Sequence, residues 1–264
     1  VSAIGDTTSA ARPIAWDRVG DGPPLLLLHG LGGERHVWQP LLAPLADHRT
    51  LIVPDLPGFG ASPALPAETA ATPAALAAAI AGLLDALDLD APDVVGNSLG
   101  GWVALELALA GRARSVTALC PAGFWSRPLG PRRDNARRLA RAVRPALPLL
   151  TRIGPLRRAA LAGTVAQPQR VPPRAAARMI GAYAAAPGFL AADAAMRAGR
   201  FERLADVTVP VTLAWGERDR VVRPPRALPD GVVSLLLPGC GHLPMWDDPA
   251  LVTQVVLRGA DQAA

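Results

Sequence analysis

From residue 24 onward, short continuous apolar runs alternate with longer amphipathic ones, an order that leaves few folds open. Residues 25–28, four leucines, are too few for a helix and are stopped by His29 and Gly30, so they read as a buried strand. The spacing then predicts a helix over 38–45, a strand over 51–53, and an alanine-rich helix over 73–87 with proline in its first turn. A strand over 93–95 ends at Gly96, a helix follows over 99–110, and another strand occupies 116–119. Strands joined by helices specify an α/β fold with a mostly parallel, doubly wound sheet. Ahead of a turn at Gly20-Asp21-Gly22, residues 13–19 read as an antiparallel edge strand.

The alternation breaks at about Gly123. From there to about Arg203 there are only helix-like stretches, over 135–143, 156–162, 174–185 and 190–198, separated by proline and glycine. Strand-like runs resume at 211–215 and 232–237, and a helix over 249–257 closes the chain. The expected organisation is a core over 1–122, a helical insertion over 123–203 and the rest of the core over 204–264. A chain of 264 residues can bury a core of that size.

Half of the residues are hydrophobic, yet charges interrupt every apolar run before the roughly 18 residues a membrane span needs, so no span is expected. Two cysteines, Cys120 and Cys240, are too few for a disulfide framework. Residues 1–12 lack a charged segment followed by an apolar one, so no signal peptide is expected there and the cytoplasm is the expected compartment. All 27 basic residues are arginine, and 18 of them lie between Arg112 and Arg203 against only Asp134, Asp193 and Glu202. A basic insertion therefore sits on an acidic scaffold. It reads either as a solvated face in an arginine-biased composition or as a lure for an anionic substrate or partner. Nucleic acid is not an expected partner, because the stretch has few aromatics to stack bases and no binding motif.

The strongest local signal is Gly96-Asn97-Ser98-Leu99-Gly100-Gly101, set between a strand and a helix. It matches the G-x-S-x-G elbow, in which a sharp strand-to-helix turn exposes a serine and leaves no room for side chains two residues away. At the start of a helix the serine meets free N–H groups that favour developing negative charge. The bland alternative is an N-cap serine in a glycine-rich turn. A serine hydroxyl needs a base that is itself held by a third group. Of the four histidines, His242 follows the last strand in the loop Pro238-Gly239-Cys240-Gly241-His242, where it can project over the carboxyl edge of the sheet. Asp219, after the penultimate strand, is the acid best placed to hold it, with Glu217 as competitor. Asp247 and Asp248 are expected to face solvent or to begin the last helix. Backbone donors for an oxyanion are expected at Leu99 and at Leu31, the latter in His29-Gly30-Leu31-Gly32-Gly33. Asp55, in a second glycine loop, reads as a turn-fixing residue. Four scattered histidines and two distant cysteines suggest no metal site.

Taken together, these motifs resemble the α/β-hydrolase superfamily, in its lidded branch of esterases and C–C bond hydrolases. The resemblance covers roughly residues 13–257. It implies the α/β-hydrolase fold, with a cap inserted after the sixth strand of the family's count, and the triad Ser98, Asp219 and His242 in that order. It further implies a cofactor-independent hydrolase of small carboxylic esters acting through an acyl-enzyme, with a small-molecule substrate and an oligomeric state left open. Substrate contacts are expected from Gly30, Gly32, Asn97, Phe124, Trp125, Leu243 and Trp246. Serine at position 98 departs from the branches that use an aspartate nucleophile. Gly96-Asn97-Ser98 and Cys240-Gly241-His242 resemble the hydrolases of vinylogous 1,5-diketones, but Leu243 stands where those usually carry tryptophan and Glu34 where they carry proline. A non-catalytic ligand-binding protein on the same scaffold is the rival from another class, and an intact triad argues against it.

Overall fold

The structure is a computed structural model describing residues 13–131 and 134–262; the expectation for residues 1–12 lies outside them. The sheet contains β1 (Trp16–Val19), β2 (Pro24–Leu28), β3 (Thr50–Pro54), β4 (Asp93–Asn97), β5 (Ser115–Leu119), β6 (Val211–Gly216) and β7 (Val233–Leu237). Their order is β1-β3-β2-β4-β5-β6-β7. Only the β1 edge runs antiparallel, with Trp16 opposite Pro54; the other neighbours pair in parallel. The inner strands β2 to β6 are covered on both faces, which is why several appear in the sequence as unbroken apolar runs, whereas the edge strand β7 is exposed over residues 233–236.

Alternation along β2 divides the core into two layers, because successive side chains leave opposite faces. Leu26 and Leu28 pack into one layer with Leu76 and Ile80 of α2 (Pro73–Ala86) and Val103 and Leu107 of α3 (Leu99–Leu109). Leu25 and Leu27 pack into the other with Leu41 of α1 (Gln39–Ala46) and Val252 and Val256 of a carboxyl-terminal helix. Trp38 belongs to a single 3-10 turn, Arg35–Trp38, and α1 begins only after it, with Pro40 in the first turn where no N–H is required.

The insertion between β5 and β6 carries α4 (Asn135–Ala142), α5 (Leu147–Leu150), α6 (Gly154–Leu161), α7 (Pro173–Ala185) and α8 (Phe189–Ala198). Helices α4, α5 and α6 all pack on α7. Two short helices escape the sequence periodicity, α5 and, after β7, α9 (Pro244–Asp247), because four residues complete barely one turn. The chain closes with α10 (Pro249–Asp261), whose first turn is capped by the Asp248 carboxylate accepting from the Leu251 N–H. Among the described residues no single helix is long and apolar enough to cross a membrane.

Aromatic side chains fasten the insertion to the core. Trp102 of α3 meets Trp125 edge-on at 5.9 Å and Phe201 at 6.4 Å, while Phe124 meets Trp215 of β6 at 5.7 Å. Arg137 is buried and donates to the carbonyls of Tyr183 (3.0 Å) and Ala186 (2.5 Å), with its guanidinium over the Phe189 ring. An arginine predicted for the surface by charge alone is thus a tie between α4 and the α7–α8 turn.

Candidate active site

Ser98 lies between β4 and α3 with φ 54° and ψ −116°, a left-handed conformation that is unusual for a residue with a side chain and marks a strained turn. The turn is held by its own backbone. The Ser98 N–H donates to the Leu119 carbonyl (2.9 Å), and the Ser98 carbonyl accepts from Gly101, Trp102 and Ala122. The glycines follow from close approach: a Cβ on Gly96 would sit 2.1 Å from the Gly100 carbonyl oxygen, and one on Gly100 would sit 2.2 Å from that of Leu28. Leu99 opens α3, so its N–H is among those no helical carbonyl can reach.

The imidazole of His242 is buried and donates from Nδ1 to Oδ2 of Asp219 at 2.8 Å. The other carboxylate oxygen of Asp219 accepts from the N–H groups of Val221 (2.7 Å) and Val222 (3.1 Å). Burial pushes the Asp219 carboxyl up, but the bond and charge of His242 and those two N–H groups together outweigh it and hold it below the ordinary 3.8. Glu217 turns outward instead, accepting from the Gly239 N–H, so it does not compete for the imidazole. Asn97 links the two halves of the site. Its amide donates to the His242 carbonyl (2.9 Å) and to the Leu119 carbonyl (3.1 Å), tying the residue beside Ser98 to the histidine loop.

Cys120 is an addition that sequence reasoning missed, having considered the cysteines only for disulfides and metal ligation. It ends β5 with φ 47°, and its sulfur lies in a group with ligand atoms of Asp219 and His242 whose members are all within 4.8 Å of one another. The cysteines and histidines are therefore not wholly scattered, as the sequence suggested. Burial and then the Asp219 charge push the Cys120 thiol well above 9.0, so it stands as a protonated neighbour of the pair. The Cys240 thiol is pushed up to about 12, again chiefly by burial; both cysteines are free.

After β2, the loop from His29 to Gly33 passes directly over the elbow: a Cβ on Gly30 would lie 3.0 Å from that of Ser98. Gly32, at φ 74°, is pressed by Tyr183 and Phe189 of the insertion. His29 is fully buried, donating from Nδ1 to the Gly30 carbonyl (2.8 Å) and accepting at Nε2 from the Leu56 N–H (2.9 Å). Burial pushes its pKa below the ordinary 6.5, so it is a neutral brace between two loops. Asp55 fixes its turn as expected, accepting from Ala61, and it also pairs with the Arg35 backbone and guanidinium.

Asp247 corrects the sequence reading. It is fully buried, with Oδ2 accepting from Gly241 (2.7 Å) and Ala166 (3.1 Å) and Oδ1 from Gln167 (2.6 Å). One carboxylate thus joins the histidine loop to the insertion, and the Leu243 N–H adds a bond to the Thr164 carbonyl. Nothing in local spacing could have revealed this, since Ala166 and Gln167 are about eighty positions away. Of the other expected contacts, Phe124 and Trp125 stand in the aromatic cluster, with the Trp125 indole donating to Gly199. Trp246 is buried with its indole N–H on the Val37 carbonyl, and Leu243 is half-buried. A cleft of about 340 Å³ opens between the first loop and the insertion, lined by Glu34, Gly60, Arg144 and Arg178 among others.

Residues 25–255 match the sequence profile of the Alpha/beta hydrolase family, nearly the whole of the described chain. The chain belongs to the alpha/beta hydrolase family. Among relatives, the epoxide hydrolase EphH of Mycobacterium tuberculosis is 35% identical over 191 residues, 66% of this chain and 87% of that one. A 2-hydroxymuconate semialdehyde hydrolase of a Pseudomonas species is 39% identical over 93 residues, 34% of this chain and 32% of that one. Among solved structures, a thermophilic esterase from Thermogutta terrifontis superposes with TM-score 0.72 and 27% identity, covering 95% of this chain and 93% of that one. These likenesses make the chain an α/β-hydrolase with a small-molecule substrate and leave the bond it cleaves to chemical argument.

Proposed function

We propose that this hydrolase cleaves small carboxylic esters through an acyl-enzyme, with Ser98 as nucleophile, His242 as base and Asp219 as its support. The observation that carries the reading is the buried Nδ1–Oδ2 bond between His242 and Asp219, anchored by Asn97 beside the strained serine. With Nδ1 occupied, Nε2 is the ring nitrogen left to accept the Ser98 proton as Oγ adds to the ester carbonyl. The N–H groups of Leu99 and Leu31 bind the tetrahedral oxyanion. Collapse expels the alcohol, which takes the proton back from His242, and a water deprotonated by the same nitrogen then releases the acid. Residues 123–203 serve as a cap over the site, and the aliphatic side chains on its inner side give the acyl pocket its character.

Serine itself argues against epoxide opening in this chain. Its attack on an epoxide would leave an ether, which has no carbonyl for water to add to, whereas its attack on an ester leaves a hydrolysable ester. A second reading, C–C cleavage of a vinylogous 1,5-diketone, draws on the 39% identity to 2-hydroxymuconate semialdehyde hydrolase. The test is turnover of short p-nitrophenyl esters together with labelling by a fluorophosphonate. Ser98→Ala is expected to lose both; labelling that persists in that variant refutes the assignment, and faster consumption of the diketone than of any ester favours the second reading.

A further inference from the structure

Residues 135–192 contain ten arginines and no Asp or Glu. They build α4 to α7 and part of α8, and because α4, α5 and α6 all lie on α7, their outward sides form the outer surface of the insertion. Arg137 is consumed inside. The side chains of Arg138, Arg152 and Arg158, by contrast, are exposed and carry no hydrogen bond or ion pair among the described residues, while Arg144 lines the cleft with Glu34.

Between these cations stand large aliphatic side chains that the described residues leave about half or more exposed. Leu139 and Leu149 are each 65% exposed, and Ile153 and Leu156 each 47%. A merely solvated helical face would not leave four such residues open within eighteen positions. Aliphatic side chains interleaved with unpaired guanidinium groups match a surface that offers both acyl chains and phosphates, since arginine binds phosphate oxygens in a planar fork.

We propose that the outer face of the insertion, from α4 to α6, docks reversibly on an anionic lipid bilayer. Leu139, Leu149, Ile153 and Leu156 enter the acyl boundary while the arginines pair with headgroup phosphates. Other occupants fit less well. A second copy would set one acid-free arginine face against another. Nucleic acid would need exposed aromatics for stacking, and the two aromatics of this stretch, Tyr183 and Phe189, pack on each other and on Gly32.

The test is cosedimentation of the full chain with phosphatidylcholine vesicles, with and without a phosphatidylglycerol fraction, at low and high salt. Binding is expected to be at least about tenfold stronger on the anionic vesicles and to be lost at high salt. Arg138→Glu/Arg152→Glu/Arg158→Glu and, separately, Leu139→Ser/Leu149→Ser are each expected to reduce it at least about tenfold. Melting temperature and turnover of a soluble ester should not change, because all five positions are exposed. Equal binding to both vesicle types, or binding indifferent to either variant, overturns the proposal. So does self-association that Leu139→Ser/Leu149→Ser abolishes in a chain that ignores vesicles.

Discussion

Replacing Asp247 by Asn isolates what one buried carboxylate does for the histidine loop. The carboxylate accepts three backbone N–H groups, from Gly241, Ala166 and Gln167. An amide has a single acceptor oxygen and two donors. If that oxygen stays toward Gln167, the amide nitrogen faces Gly241 and Ala166 and strands two donors; if it flips, it strands one and points a donor at Gln167. A buried donor left unsatisfied costs about 1–3 kcal/mol, so the better orientation still loses about 2–4 kcal/mol once weaker bonds to a neutral acceptor are included. For a chain of this size that is a melting temperature lower by about 5–15 °C. Gly241 precedes His242, so the relaxed loop should also misplace the imidazole, lowering kcat more than it raises KM. Thermal melts and ester kinetics on Asp247→Asn, with Asp247→Leu expected to be worse, measure both. A melting temperature within about 1 °C of wild type would show that the three N–H groups find other partners and that the carboxylate is no anchor.

Gly100→Ala places a Cβ 2.2 Å from the Leu28 carbonyl oxygen and 2.6 Å from that of His29, so backbone must move; a loss above ~3 kcal/mol in denaturant unfolding is expected, and near-wild-type stability would contradict the packing. Asp219→Asn keeps the shape but cannot hold Nδ1–H with a charge, so ester turnover should fall about 10³–10⁴-fold with the fold intact. A fall under about tenfold would remove Asp219 from the mechanism. His29 gives a pH dependence whose sign follows from its lowered pKa. Below 6.5 the unfolded chain binds a proton that folded His29 refuses, so its contribution, intact above 6.5, is lost by up to about 1.4 kcal/mol per pH unit as pH falls to the folded pKa. Histidine proton NMR should show the His29 ring still neutral at pH 6.5, and half-protonation of that ring there would refute it.

The strands were legible because parallel strands buried on both faces must be apolar throughout, as residues 25–28 are. The elbow was legible because its residues form a short pattern along the chain, although only Gly96 answers to near neighbours and Gly100 answers to Leu28 and His29 of a distant segment. Asp219 was legible by its position after a strand, although its rival Glu217 was dismissed only when the structure showed it bonded to Gly239. Helices α5 and α9 were not legible, since a single turn has no period to detect. Asp247, Cys120 and Arg137 were misjudged or passed over because their partners are distant in sequence, and burial of a charge depends on those partners.

Local order thus settled the α/β alternation, the insertion and the serine turn, all of which depend on neighbours along the chain. Tertiary contact decided between Asp219 and Glu217 as the acid that meets His242, and it alone decided which aspartate is a buried anchor and which arginines face outward. Those outcomes depend on desolvation and on hydrogen-bond partners brought from far positions, and no period or short motif encodes them.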